Sequence, residues 1–129
     1  MSSPHACHPL PKGFQLDAYR IDRVLSKGGF SIVYLARDAA GTSVAIKEYL
    51  PTHLAQRPAD NPVPVIAAEQ LARFNKGMRS FIEEARLLAH IHHPNVVEVL
   101  DFAKANNTAY VVMRYEHGHS LDEYLRRLR

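Results

Sequence analysis

The order of strand-like and helix-like segments constrains the fold of this chain more than any other feature. Five segments have the composition and alternation of β-strands: residues 19–25, 31–36, 43–48, 96–102 and 109–115. Between the third and fourth of them, apolar residues from Leu71 to Leu88 recur at helical spacing, although Gly77 could divide that helix in two. The sequence therefore predicts an α+β domain in which a five-stranded antiparallel sheet packs against one main helix.

The segments outside these elements set the predicted domain boundaries. Residues 1–13 are rich in proline, serine and histidine without periodicity, so we interpret them as a flexible tail that precedes a domain over residues 14–129. Residues 50–66 contain several prolines and are predicted to form a loop. Ser120 is predicted to cap a final helix over residues 121–129.

Composition argues against several other classes of protein. The 129 residues carry a formal net charge of +3 with scattered lysines and arginines, so nothing indicates a nucleic-acid partner. No segment is apolar for long enough to span a membrane, and no signal peptide is visible. The single cysteine, Cys7, fits a reducing compartment, and we expect a cytoplasmic protein. His5, Cys7 and His8 lack a second ligand pair at metal-binding spacing, so we assign no metal site.

Three motifs fall in order on the predicted scaffold. They are a glycine turn in residues 25–34 (LSKGGFSIVY), a lysine strand in residues 44–47 (VAIK), and a helix in residues 81–88 (FIEEARLL) followed by HPNVV at 93–97. Together they resemble the amino-terminal lobe of the bacterial eukaryotic-like (Hanks-type) serine/threonine protein kinases. The lysine strand also continues as VAIKEYLP to Pro51, a run found in some of these kinases. The resemblance covers Tyr19 to Arg129.

This resemblance implies an ATP site. Backbone amides of the glycine turn would cover the phosphates, because glycine has no Cβ to hold them off. The nucleotide-binding residues that the resemblance implies are Leu25, Ser26, Lys27, Gly28, Gly29, Phe30, Ser31, Val33, Ala45, Lys47, Met113, Arg114 and Glu116. Of these, Val33 and Ala45 would lie against the adenine, with Met113 as the gatekeeper behind it. Arg114 and Glu116 would offer main-chain groups to the adenine edge.

Lys47 and Glu84 are the implied catalytic pair. Lys47 would reach the α- and β-phosphates of ATP, and Glu84 on the helix would hold the lysine in place. The neighbouring Glu83 points about 100° away around the helix and is expected to be solvated. The alternative is that Lys47 and Glu84 form an ordinary surface pair worth less than about 1 kcal/mol.

Phosphoryl transfer also needs motifs that this sequence does not contain. Neither His-Arg-Asp nor Asp-Phe-Gly occurs, so the ligands for Mg²⁺ are expected in the missing carboxy-terminal lobe, and the fragment alone is predicted to be inactive. The expected partners are ATP, protein substrates and that missing lobe. Three functions stay open: the ATP-binding lobe of an active kinase, a pseudokinase-type regulator, and an interaction module that binds no nucleotide. Ser26 and Ser31, where the family has its outer glycines, favour the second slightly.

The absence of the second lobe also suggests self-association. Apolar residues that would border the cleft between the lobes should be left open in the fragment; they are Val33, Ala45, Leu88, Val99 and Met113. Large contiguous apolar patches are rare on soluble monomers. The fragment is therefore expected to associate through the cleft side or through its terminal helix.

Overall fold

An antiparallel sheet is the frame of this protein, whose computed structural model describes residues 7–94 and 97–115. The strands are β1 (Gln15–Leu16), β2 (Tyr19–Lys27), β3 (Ser31–Arg37), β4 (Ser43–Tyr49), β5 (Ala55–Gln56), β6 (Val65–Ile66), β7 (Val99–Ala105) and β8 (Thr108–Arg114). Six of them form one sheet in the order β1-β2-β3-β4-β8-β7, and β5 pairs with β6 in a separate hairpin. A short 3₁₀ helix (Ala68–Gln70) leads into the single α-helix of the described residues, α1 (Leu71–Ala89).

The predicted α+β architecture is confirmed, with one more strand in the sheet than expected. Strand β1 is only two residues long and turns into β2 at Asp17, whose positive φ of 53° marks a tight turn. A strand this short carries no alternation that a sequence pattern could reveal. The fourth predicted strand, residues 96–102, lies three residues later in the chain as β7. The helix is continuous through Gly77.

Alternation along the central strands sends side chains to two faces with separate cores. On one face, which we call the cleft face, the buried residues are Leu25, Val33, Leu35, Ala45, Ala85, Val97, Val111 and Met113. The opposite face, which we call the covered face, buries Ile32, Tyr34, Ala36, Val44, Ile46, Tyr110 and Val112. Helix α1 contacts β7 and β8, and its Ala85 belongs to the cleft-face core.

The segments that cover the covered face were predicted to be a flexible tail and a loop. Cys7 and Leu10 are buried in its core, and the Cys7 thiol donates to the Ala55 carbonyl at 3.1 Å. The His8 N–H donates to the Arg57 carbonyl at 2.9 Å. The prediction of a flexible tail is therefore wrong for residues 7–13, because two apolar side chains are enough to anchor a segment that has no periodicity. Residues 1–6 lie outside the described residues.

A hydrogen-bonded charge network lies within the covered face. Arg57 and Glu48, which are 1% and 0% exposed, form a bidentate pair with both N···O distances at 2.7 Å. The hydroxyls of Tyr34 and Tyr110 donate to the same carboxylate at 2.7 Å and 2.6 Å. Burial, together with the charge of Glu48, raises the pKa of both tyrosines, so both hydroxyls stay protonated as donors. The segment predicted as a loop, residues 50–66, thus contributes the buried Arg57, which pairs with Glu48 of strand β4.

Some predicted features cannot be placed on this fold. Ser120 and the helix predicted over residues 121–129 lie outside the described residues. Within the described part of the chain, the structure contains no helix whose length and hydropathy would let it cross a bilayer.

Candidate functional site

The glycine turn joins β2 to β3 at the edge of the cleft face. The Gly28 N–H donates to the Ser31 carbonyl at 2.9 Å, which closes the turn. Phe30 at its tip is 68% exposed, and its ring meets the edge of the His53 ring at a centroid distance of 5.4 Å. A Cβ built on Gly29 would have no atom within 4 Å. The turn therefore leaves open space beside its backbone, as the approach of a phosphate group requires.

Lys47 and Glu84 line the same two cavities, and the larger of these lies next to this turn. The larger cavity, of about 490 Å³, is bounded by the glycine turn, strand β4, the segment after it and helix α1. The smaller cavity, of about 30 Å³, lies between α1 and the cleft-face core. The Lys47 ammonium is 5.9 Å from the centroid of the Phe81 ring. The strand and the helix thus bring the two predicted catalytic residues to one place.

Burial is the main influence on the charge of Lys47. It lowers the pKa of the ammonium, and the nearby Glu84 carboxylate opposes that change by favouring the charged form. The net pKa is below the ordinary value for lysine. A partly desolvated ammonium attracts an anionic group more strongly than a hydrated one, because the local dielectric is lower. The position suits contact with a phosphate.

The residues predicted to contact the adenine lie on the cleft face. Leu25, Val33, Ala45 and Met113 are all buried in its core, and Ala45 lies opposite Met113 in the β4–β8 pairing. Ser26 lies opposite Val33 in the β2–β3 pairing, so the start of the glycine turn borders the same surface. These side chains form the apolar wall that a planar base would need.

Beyond β8, only Tyr115 lies within the described part of the chain. The Arg114 N–H donates to the Glu98 carbonyl at 2.9 Å, so this amide is already used. The Arg114 guanidinium also donates to the Glu98 carboxylate at 2.7 Å on the surface. Glu116, the other residue predicted to contact the adenine edge, lies outside the described residues.

The cleft face is less open than the sequence suggests. Of the five apolar residues expected to border it, Val33, Ala45 and Met113 are buried within this chain, and only Leu88 and Val99 are half-buried. Strands β3, β4 and β8 pack these side chains against helix α1 and Val97 without help from a second lobe. The apolar surface available for self-association on this face is accordingly smaller than expected.

Gly77 has a packing role in this site. A Cβ at this position would overlap the Tyr49 hydroxyl and would lie 3.1 Å from the ring carbon that carries it. The Tyr49 hydroxyl donates to the Phe74 carbonyl at 2.9 Å, which fixes the ring against the helix. Glycine at position 77 is therefore needed for the close approach of Tyr49, although glycine disfavours a helix interior by about 1 kcal/mol.

We expect Gly77→Ala to lower the free energy of unfolding by about 1–3 kcal/mol, despite the better helix propensity of alanine. The added methyl group must displace either the Tyr49 ring or helix α1. Denaturant unfolding of the single variant measures this loss, and the same substitution in a Tyr49→Phe background should cost less because the overlapping hydroxyl is gone. A Gly77→Ala variant more stable than the wild type would contradict this packing role.

Comparison with known proteins gives one consistent result. Residues 19–129 match the model of the protein kinase domain. The chain is 32% identical over 108 residues to the serine/threonine-protein kinase PrkC of Bacillus subtilis, covering 83% of this chain and 14% of that protein. It is 30% identical over 119 residues to the probable serine/threonine-protein kinase YbdM of the same species, covering 91% of this chain and 40% of that protein.

Solved structures show the same likeness. The apo form of PpkA-294 superposes with a TM-score of 0.80 at 38% sequence identity, covering 92% of this chain and 43% of that one. The kinase domain of Mycobacterium tuberculosis PknI gives a TM-score of 0.57 at 21% identity and shows the fold alone. In each comparison this chain spans less than half of the matched protein.

Proposed function

Because this chain belongs to the protein kinase domain family and forms the amino-terminal part of that domain, we propose that it binds ATP for a serine/threonine protein kinase. In the full-length protein, the γ-phosphate of ATP would be transferred to hydroxyl groups of protein substrates. The observation that carries this proposal is the position of Lys47 and Glu84, which together line the larger cavity, next to the glycine turn. PrkC and YbdM are serine/threonine-protein kinases by their names, and the PknI structure is that of a kinase domain.

The residues present fit a nucleotide with its phosphates toward helix α1. Open space beside Gly29 admits the phosphates, and the Lys47 ammonium supplies a partly desolvated positive charge. Glu84 would hold that ammonium in place, and the base would lie against the outer side of the apolar layer that Val33, Ala45 and Met113 form within this chain. The Mg²⁺ that accompanies ATP would be held by residues outside this chain, in the remaining part of the kinase domain.

A second candidate function is a pseudokinase that binds nucleotide as a regulator. Ser26 and Ser31 stand where the family has its outer glycines, and Ser31 pairs with Tyr49 in the β3–β4 ladder. Each serine adds a Cβ to the turn and so restricts the conformations that it can adopt. A turn with fewer accessible conformations would open less often, which favours lasting nucleotide binding over the repeated nucleotide exchange that catalysis needs.

The decisive experiment uses the full-length protein with γ-labelled ATP and Mg²⁺, followed by analysis of the phosphorylated amino acids. Our proposal predicts label on serine or threonine, either of the protein itself or of an added protein. Saturable ATP binding without transfer would support the regulatory function instead. A protein that neither binds ATP nor transfers its phosphate would contradict both.

The setting of this activity is also a proposal. The single cysteine is a buried free thiol that donates a hydrogen bond to Ala55, which is consistent with a reducing compartment and supports a cytoplasmic location for this part of the protein. The remaining part of the kinase domain is the proposed partner of the cleft face. Self-association of the chain alone, through Leu88, Val99 or the helix predicted over residues 121–129, would be seen by sedimentation equilibrium over a concentration series.

A further inference from the structure

Tyr49 connects the lysine strand to the helix that carries Glu84. It lies two residues after Lys47 in β4, so both side chains leave the strand on the same face. The Tyr49 ring packs against Phe74 and Phe81 of α1, with centroid distances of 5.1 Å and 5.5 Å. Its hydroxyl donates to the Phe74 carbonyl at 2.9 Å. Tyr49 therefore contacts two helix residues, Phe74 and Phe81, that lie about two turns apart.

The hydroxyl of Tyr49 is well suited to this contact. Tyr49 is 6% exposed, and burial raises the pKa of its hydroxyl, so the group stays a protonated donor over the physiological range. Gly77, one turn after Phe74, leaves the space in which the hydroxyl lies. Few residue types could take this position, because it needs an aromatic ring and a donor at the far end of it.

The backbone that follows Tyr49 is fixed to the glycine turn. The Leu50 N–H donates to the Phe30 carbonyl and the Thr52 N–H to the Gly29 carbonyl, both at 2.9 Å. The Thr52 hydroxyl donates to the same Gly29 carbonyl at 3.2 Å. The end of β4 is thus tied on one side to the turn above the cavity, while Tyr49 holds the helix on the other.

We propose that Tyr49 is a positioning residue that holds helix α1, and with it Glu84, against Lys47 beneath the glycine turn. Phe81 links Tyr49 to Lys47, because its ring packs against the Tyr49 ring and also lies under the Lys47 ammonium. Glu84 follows Phe81 by three residues and lies on the same helix face. A helix is stiff over this distance, so a contact at Phe74 and Phe81 fixes the place of the Glu84 carboxylate. This inference rests on the proposed kinase function.

The test is a double-mutant cycle on the full-length kinase. Tyr49→Phe keeps the ring and removes one hydrogen bond, and it is expected to lower kcat about threefold to tenfold with the KM for ATP changed less than about twofold. In a Glu84→Gln background the same substitution should lower kcat less than about twofold, because Tyr49 acts through Glu84. Tyr110→Phe is the matched control, since that hydroxyl is also buried and hydrogen-bonded but its acceptor is Glu48 and not a residue of helix α1.

Equal losses of kcat for Tyr49→Phe in the two backgrounds would overturn the proposal, as would equal losses for Tyr49→Phe and Tyr110→Phe. Hydrogen exchange of the α1 amides gives a readout that does not depend on catalysis. Tyr49→Phe should speed exchange in α1 relative to β8, and unchanged exchange in α1 would also overturn the proposal. If the wild-type protein transfers no phosphate, the kinase function fails, and hydrogen exchange alone decides the role of Tyr49.

Discussion

Arg57→Ala is expected to lower the free energy of unfolding by about 3–5 kcal/mol, because it leaves a buried carboxylate without its charged partner. The Glu48 carboxylate is 0% exposed and receives two hydrogen bonds of 2.7 Å from the Arg57 guanidinium. Without the guanidinium, a negative charge would remain buried with only two tyrosine hydroxyls to satisfy it. Arg57 also donates to the His8 carbonyl at 2.8 Å, so residues 7–10 should lose one of the hydrogen bonds that hold them in the variant.

Denaturant unfolding of two further variants controls this experiment. Arg37→Ala removes an exposed pair with Asp22 at 3.8 Å and should cost less than about 1 kcal/mol. The double variant Glu48→Leu with Arg57→Met removes both charges together and should cost far less than Arg57→Ala alone. If Arg57→Ala is no more costly than Arg37→Ala, the network does not stabilise the covered face.

Lys47→Met should have the largest effect on activity, lowering kcat for phosphoryl transfer by the full-length protein about 100-fold to 1,000-fold. The substitution keeps a long, unbranched side chain but removes the charge that strand β4 directs into the two cavities lined by Lys47 and Glu84. Lys104→Met serves as the control, because Lys104 is an exposed residue of β7. Wild-type activity in the Lys47→Met variant would show that the phosphate does not contact this lysine.

The elements of the fold could be predicted because their periodicities are strong. Alternation and short turns gave β2, β3, β4 and β8 within about two residues, and helical spacing gave α1. The edge strand β1 is too short to show a period. Residues 7–13 could not be predicted, since their anchoring depends on contacts with Ala55 and Arg57, more than forty residues away in the chain.

Long-range pairing also explains what the sequence did not show about the site. Lys47 and Glu84 could be predicted from the motifs that contain them, and the structure brings them to common cavities. The pairing of Glu48 with Arg57 was not predicted, because Arg57 lies in a proline-rich segment without periodicity. Gly77 looked like a possible break in a helix, whereas it makes room for Tyr49.

Protection of Lys47 by ATP tests the central claim most directly. The full-length protein would be treated with an amine-acylating reagent with and without ATP and Mg²⁺, and the labelling of each lysine would be measured by peptide mass spectrometry. Because Lys47 lies in the cavity beneath the glycine turn, saturating ATP should suppress its labelling at least about tenfold while that of Lys104 stays unchanged. Labelling of Lys47 at the same rate with and without saturating ATP would contradict a nucleotide site at this position.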